Sequence, residues 1–239
     1  MHYMQRLAGQ MRSAIEKYNM IESGDSIMVG VSGGKDSVAL LTGLSSLRSY
    51  YPKPFSLKAV TMDPCFEGEE TDYSPISQLC ERLEVPYHVE RVPLGQLLFG
   101  EEKQQNPCSL CARIRRGVLH NASLAAGCNK IALGHHFDDA VETFFLNLLN
   151  GGRIGCFSPV TFLDRKKITL IRPLIFVEER DVSAAVRQES LPIVKSRCPV
   201  DGCTARQDIK LLIRSLEKDY KHLRTKVLGA MQRSGLDGW

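Results

Sequence analysis

No run of apolar residues in this sequence approaches the ~18 needed to cross a bilayer, so no membrane-spanning helix is expected. The first twenty residues, MHYMQRLAGQMRSAIEKYNM, are broken up by charges and lack the apolar stretch of a signal peptide, which argues against export. Internal repeats, low-complexity tracts and obvious linkers are also missing. With hydrophobic content at 43% and charged content at 24%, neither wholesale disorder nor collagen-like structure fits. Charge of neither sign dominates: the net +4 permits a polyanionic partner without demanding one. Cysteine is absent from residues 1–30 and 204–239, yet eight cysteines lie between. Without an export signal, they point away from a disulfide framework and toward reduced thiols or metal ligands in a cytoplasmic setting. A chain of 239 residues is long enough to bury about 70% of its unfolded surface, so a core forms without covalent staples.

Hydrophobic periodicity then sets out the elements. Met4, Leu7, Met11, Ile15 and Tyr18 recur at steps of three and four, predicting an amphipathic helix over residues 2–20. Short apolar runs at 26–32, 56–63, around VPYHVERV, at 129–134 and at 168–174 predict strands. Helical patterns separate them at 32–47 (opened by a glycine-rich turn), 74–85, 109–127 and 136–152, and the chain is helical from Glu178 onward except at 191–203. Strands alternating with helices imply right-handed crossovers. The expected fold is α/β, Rossmann-like, with a parallel five-stranded sheet covered by helices on both faces. Residues 1–239 read as one domain: an N-terminal helix over 1–20, an α/β core over 21–180 and a C-terminal helical segment over 181–239.

Ligands of open parallel sheets collect at the carboxyl ends of the strands, and three polar signals fall there. The first is Ser32-Gly33-Gly34-Lys35-Asp36-Ser37, directly after the first strand. Two glycines allow a sharp turn that aims successive N–H groups at an anion, and the next helix adds its positive dipole end. Lys35 contributes a charge, and Ser32 and Ser37 contribute hydroxyls. This phosphate cradle is no Walker A loop, because Val29 stands where that motif needs glycine, nor a dinucleotide fingerprint, because Ser32 follows Gly30 at two residues.

The second signal is Cys108-Ser109-Leu110-Cys111, opening a helix rich in arginine. The helix dipole and the nearby arginines are expected to lower the thiol pKa values. Such a pair reads as a redox dithiol, half a zinc site or half an iron–sulfur site. Cys198 and Cys203 lie downstream in a loop, and all four thiols together suit a structural zinc. The third signal, Gly134-His135-His136-Phe137-Asp138-Asp139, is either an acidic cluster for Mg²⁺ or a helix start whose acids favour the dipole.

The hexapeptide SGGKDS after a first strand resembles the PP-loop of ATP pyrophosphatases. The order SGGKDS, PCSLCARIRRGVL, KIALGHHFDD, NLLNGGR and IRPL resembles the tRNA 2-thiocytidine synthetase (TtcA) family over residues 20–220. That resemblance implies a PP-loop core, ATP and Mg²⁺, an oxygen-labile [4Fe–4S] cluster, and thiolation of cytidine in the tRNA anticodon loop. It implies that Ser32, Gly33, Gly34, Lys35, Asp36 and Ser37 bind ATP, with Asp63, Arg115, Gly134 and Asp139 beside the nucleotide. Cys108, Cys111 and Cys198 would hold the cluster and, with Asp139, form the catalytic set; Cys203 is the alternative third ligand. Three ligands leave one iron open to carry sulfide. Cys65, Cys80, Cys128 and Cys156 match no ligand position.

The implied partners are tRNA, a sulfur donor (a cysteine desulfurase or sulfide) and a second copy in a homodimer. Residues 205–233 carry eight lysines and arginines against three acids and are the expected RNA-tracking segment. At 7% aromatic residues, no stacking platform for a base stands out. Alternatives are a 2-thiouridine-forming thiolase, a lysidine synthetase or amidotransferase-type ligase, and a nucleotide-binding redox sensor. The ligases have no use for the 108/111 pair, and a sensor would bind ATP without releasing pyrophosphate.

Overall fold

A computed structural model describes residues 2–99, 107–199 and 205–239. Its centre is a six-stranded sheet in the order β3–β2–β1–β4–β6–β5. The strands are β1 (Ser26–Gly30), β2 (Ser56–Asp63), β3 (Tyr87–Arg91), β4 (Lys130–Ala132), β5 (Val160–Leu163) and β6 (Ile168–Ile171). All neighbours run parallel except β5, which pairs antiparallel with β6. The five expected strands are β1, β2, β3, β4 and β6. The sixth, β5, is an edge strand of four residues closed onto β6 by a tight turn, and a segment that short shows no alternation that sequence could reveal.

Alternation within β1 explains the two layers. Ile27 and Val29 point into the larger core and Met28 into a smaller one on the opposite face. The larger face is covered by α1 (Tyr3–Lys17), α2 (Lys35–Arg48), α6 (Phe137–Gly151) and α7 (Glu179–Gln188), through residues such as Leu7, Leu40, Val141 and Val182. On the other face α5 (Pro107–Ala125) lays Leu119 and Ala122 over Met28, Val60 and Ile131. Helix α3 (Ser74–Arg82) joins β2 to β3, and a short helix, α4 (Gly95–Phe99), buries Leu98 beside Phe66. The C-terminal helices α8 (Ala205–Asp219) and α9 (Leu223–Ser234) pack on α6. Trp239 seats its indole N–H on the Phe157 carbonyl at 2.8 Å.

The amino ends of the strands are closed by a buried ion pair, Lys130 to Asp25 at 2.7 Å, so chemistry is left to the opposite rim. Among the described residues no helix is long and apolar enough to cross a membrane.

Candidate functional site

At the carboxyl end of β1 the chain turns through Ser32–Gly34 into α2. Gly33 sits at φ +84°, where a side chain is strained, and a Cβ there would stand 2.9 Å from the Val194 Cβ. Gly34 caps α2, and two hydroxyls tie the turn together. Ser37 Oγ donates to the Gly34 carbonyl at 2.8 Å and accepts from the Ser32 N–H at 3.1 Å. Gly134, at the end of β4, lets that backbone press against α2, since a Cβ would meet the Asp36 carbonyl carbon and the Ser37 nitrogen at 3.2 Å.

Lys35 does not stand free over the turn. Its Nζ lies 2.9 Å from Asp36 Oδ1 and 3.2 Å from Glu179 Oε1. Burial lowers the Lys35 pKa, but the two carboxylates outweigh it and the net shift is upward. Glu179 also pairs with Lys210, and although its burial favours the neutral acid, the two lysines hold its pKa down at about 2. His136 caps α6 reciprocally with Asp139: the Asp139 N–H donates to His136 Nδ1 at 3.3 Å, and the His136 N–H donates to Asp139 Oδ2 at 3.0 Å. Arg206 from α8 occupies the other Asp139 oxygen at 3.2 Å. Asp63 is fully buried, and its oxygens accept from the Cys65 N–H, the Thr71 N–H and the Thr71 hydroxyl. It therefore fixes the loop carrying Phe66.

The three expected thiols come together. Cys108, Cys111 and Cys198 line one cavity of about 220 Å³ with Phe66, Leu98 and Arg115. A second cavity of about 500 Å³ covers the glycine turn, lined by Ser32, Gly34, Tyr73, Val194 and Lys195. Phe66, Arg115 and Ser196 belong to both walls, so the two cavities adjoin. The loop bearing Cys198 is pinned to the turn, because the Val194 N–H donates to the Gly33 carbonyl at 3.0 Å. Arg115 lies at the junction, and its buried Nε has no hydrogen-bond partner among the described residues. Cys203 lies outside the described residues.

Burial, rather than the helix dipole, decides the state of one thiol. The Cys111 pKa is raised, with burial the largest cause and Arg115 opposing it, so the expected lowering fails at Cys111. A thiol of this kind ligates once a cation displaces its proton. Among the described residues no three His, Cys, Asp or Glu side chains converge tightly enough for a single ion. Thiols arranged around a cavity are the donor type that iron–sulfur clusters use.

The C-terminal basic surplus is partly spent inside the fold. Arg206 pairs with Asp139, Lys210 with Glu179, and Arg224 with Asp138 at 2.8 Å. Sequence reasoning passed over Phe66, Val194, Lys195 and Ser196; their only signal is a place on loops flanking Asp63 and Cys198. It gave His135 no separate role and passed over Arg172; both lie against Phe157, the imidazole with ring centroids 4.9 Å apart and the guanidinium 5.0 Å from the ring centroid. Burial, reinforced by the positive Arg172, pushes the His135 pKa down to about 4. An unfolded histidine titrates near 6.5, so the unfolded chain binds the extra proton between these values. His135 thus contributes stability that is complete above pH 6.5 and lost as pH falls toward 4. His135→Asn is expected to flatten that acid slope, read as urea midpoints across this window.

A family model described as PP-loop domain matches residues 5–213. A tRNA-cytidine(32) 2-sulfurtransferase from Syntrophotalea carbinolica is 40% identical over 221 residues, covering 91% of this chain and 85% of the relative. Another, from Pelobacter propionicus, is 36% identical and covers 95% and 84%. Among solved structures, the U34-tRNA thiolase NcsA from Methanococcus maripaludis with its [4Fe-4S] cluster aligns at a TM-score of 0.77 and 25% identity, covering 94% of this chain and 77% of that one. On those matches the chain belongs to the PP-loop domain family and, within it, to the tRNA-cytidine(32) 2-sulfurtransferases.

Proposed function

We infer that this protein uses ATP to replace O2 of a tRNA cytidine by sulfur, acting at position 32 as its relatives' names state. The observation that carries this reading is the common wall of Phe66, Arg115 and Ser196 between the glycine turn and the three thiols. The cytidine O2 attacks the α-phosphate of ATP, and pyrophosphate leaves. A sulfur nucleophile then adds at C2, and AMP departs with the original oxygen. Cytidine N3 carries no hydrogen, so adenylation removes no proton from the base.

The Gly33 N–H and the first N–H groups of α2, held in place by the Ser32 and Ser37 hydroxyls, receive the charge that develops on the departing pyrophosphate, which Mg²⁺ accompanies. Lys35 and Asp36 act as a pair that fixes the start of α2. Gly134 gives the close approach, while Asp139 holds the cap of α6 and Asp63 the loop of Phe66. Arg115 faces the α-phosphate from the junction. Phe66, Leu98 and Phe99 make the thiol side apolar and protect the adenylate from water. Cys108, Cys111 and Cys198 are the ligands of a [4Fe–4S] cluster, which when bound supplies an iron without a protein ligand as a place for sulfur. The sulfur enters at the sulfide level, either as free sulfide or as sulfide released from the persulfide of a cysteine desulfurase by a thiol reductant that supplies two electrons, in the cytoplasm. The chain works as one domain, since α1 packs on α2 and α7 while α8 and α9 pack on α6. It pairs as a homodimer, and exposed Leu148, Leu149 and Ile154 near the end of α6 offer apolar surface for that contact.

Anaerobically purified protein is expected to hold iron and acid-labile sulfide and to thiolate cytidine in tRNA in the presence of ATP. Mass spectrometry of tRNA nucleosides from cells lacking the gene should show 2-thiocytidine missing. Zinc in place of iron, or a missing thiouridine instead, would overturn the assignment.

A further inference from the structure

The proposed reaction needs a tRNA strand at the mouth of the thiol cavity, and α5 carries the surface for it. From Pro107 to Phe137 the sequence holds no aspartate or glutamate. The inner side of α5 packs on the sheet and on α4. Its outer side exposes Cys108, Ala112, Arg113, Arg116, Gly117 and Asn121 in succession. At 1.5 Å per residue, Cys108 to Asn121 is a track of about 20 Å. The far end continues onto the β5–β6 turn, where Lys166 donates to Asn121 Oδ1 at 3.3 Å. His120 lies between Arg116 and Lys166, and burial together with these two positive neighbours lowers its pKa. The exposed acid on the turn is Asp164.

Gly117 supplies a second, independent observation. Glycine inside a helix costs stability, and no contact among the described residues requires it here: a Cβ would meet nothing within 4 Å. Its φ is not positive either.

We propose that the outer face of α5, running from Cys108 past Arg113, Arg116 and Gly117 to Asn121 and Lys166, docks the sugar–phosphate backbone of the tRNA with the target base at the Cys108 end. This rests on the thiolase reading above, and it moves the RNA contact from the C-terminal helices, whose Arg206, Lys210 and Arg224 are engaged internally. Phosphates approach most closely where side chains are small, so Ala112 and Gly117 sit beside the two arginines for contact, not for packing.

The test uses full-length holoprotein and unmodified tRNA transcript, with affinity measured across a salt series. Arg113→Glu/Arg116→Glu should weaken binding about tenfold or more and flatten the log–log salt slope by about 2. Gly117→Leu should raise the melting temperature, because leucine is the better helix former, and still weaken tRNA binding several-fold. Iron content and ATP binding should be unchanged in both. Arg214→Glu/Lys218→Glu on α8 should bind as the parent does. Parent-like binding by both α5 variants, or a larger loss from the α8 pair, overturns this docking face and leaves the thiolase reading standing. A parent protein that binds no tRNA overturns both.

Discussion

Serine at Cys108, Cys111 or Cys198 is expected to remove iron from the protein and reduce thiolation to background while ATP binding persists. Oxygen in place of sulfur keeps the shape and discards the soft donor, so the cluster is lost before the fold is. Mutating groups that merely orient a metal ligand costs about 10–100-fold, and removing a ligand itself exceeds that. Cys108 is exposed and the other two are partly buried, so none of these substitutions opens a core cavity. Unchanged melting temperatures and unchanged ATP affinity are the controls. Cys203→Ser should retain iron, and loss of iron there with retention in Cys198→Ser would transfer the third ligand to Cys203. Retention of iron by Cys108→Ser or Cys111→Ser would remove the cluster from this cavity altogether.

Gly33→Ala is expected to damage nucleotide and iron binding together, a pattern no substitution at Lys35 should reproduce. A side chain at φ +84° costs about 1–3 kcal/mol. The added methyl also collides with Val194, on the loop that leads to Cys198. Relief requires the Val194 to Gly33 backbone bond to lengthen, which moves both the turn and the loop. ATP affinity should fall about 10–100-fold, the equivalent of about 1.4–2.7 kcal/mol, and iron content should fall with it. Lys35→Ala, by contrast, should weaken ATP binding and leave iron at the parent level. Titration calorimetry with ATP and iron analysis on the same preparations distinguish these outcomes. Full iron content in Gly33→Ala would show that the two cavities are mechanically independent.

The pinned loop also explains which residues sequence could and could not reveal. SGGKDS is legible because its function is local: two glycines and two hydroxyls build one turn with bonds spanning at most five residues. The capping role of His136 and Asp139 is legible for the same reason, being an i to i+3 exchange. Lys35 reads as a free phosphate cation until Glu179, which is distant in sequence, is placed beside it. The arginines and lysines of α8 and α9 read as one RNA-facing surplus until α6 supplies acids to Arg206 and Arg224 and α7 supplies Glu179 to Lys210. Cys111 reads as an acidified thiol at a helix start until Phe66 and Leu98 arrive to bury its surroundings.

The chain's own order of residues indicated the alternation of strands and helices, the five parallel strands, the glycine turn and the two pairs of candidate thiols, since each depends on neighbours within a few positions or on a simple period; the short β5 and α4 left no such signal. Only the packed fold decided that Cys198 stands with Cys108 and Cys111, that their cavity shares a wall with the turn, and which cations remain free to meet a polyanion. Those outcomes come from contacts between segments 31 residues apart (Glu179 and Lys210) to 161 residues apart (Gly33 and Val194), where burial and charge pairing are set by which surfaces the crossovers press together.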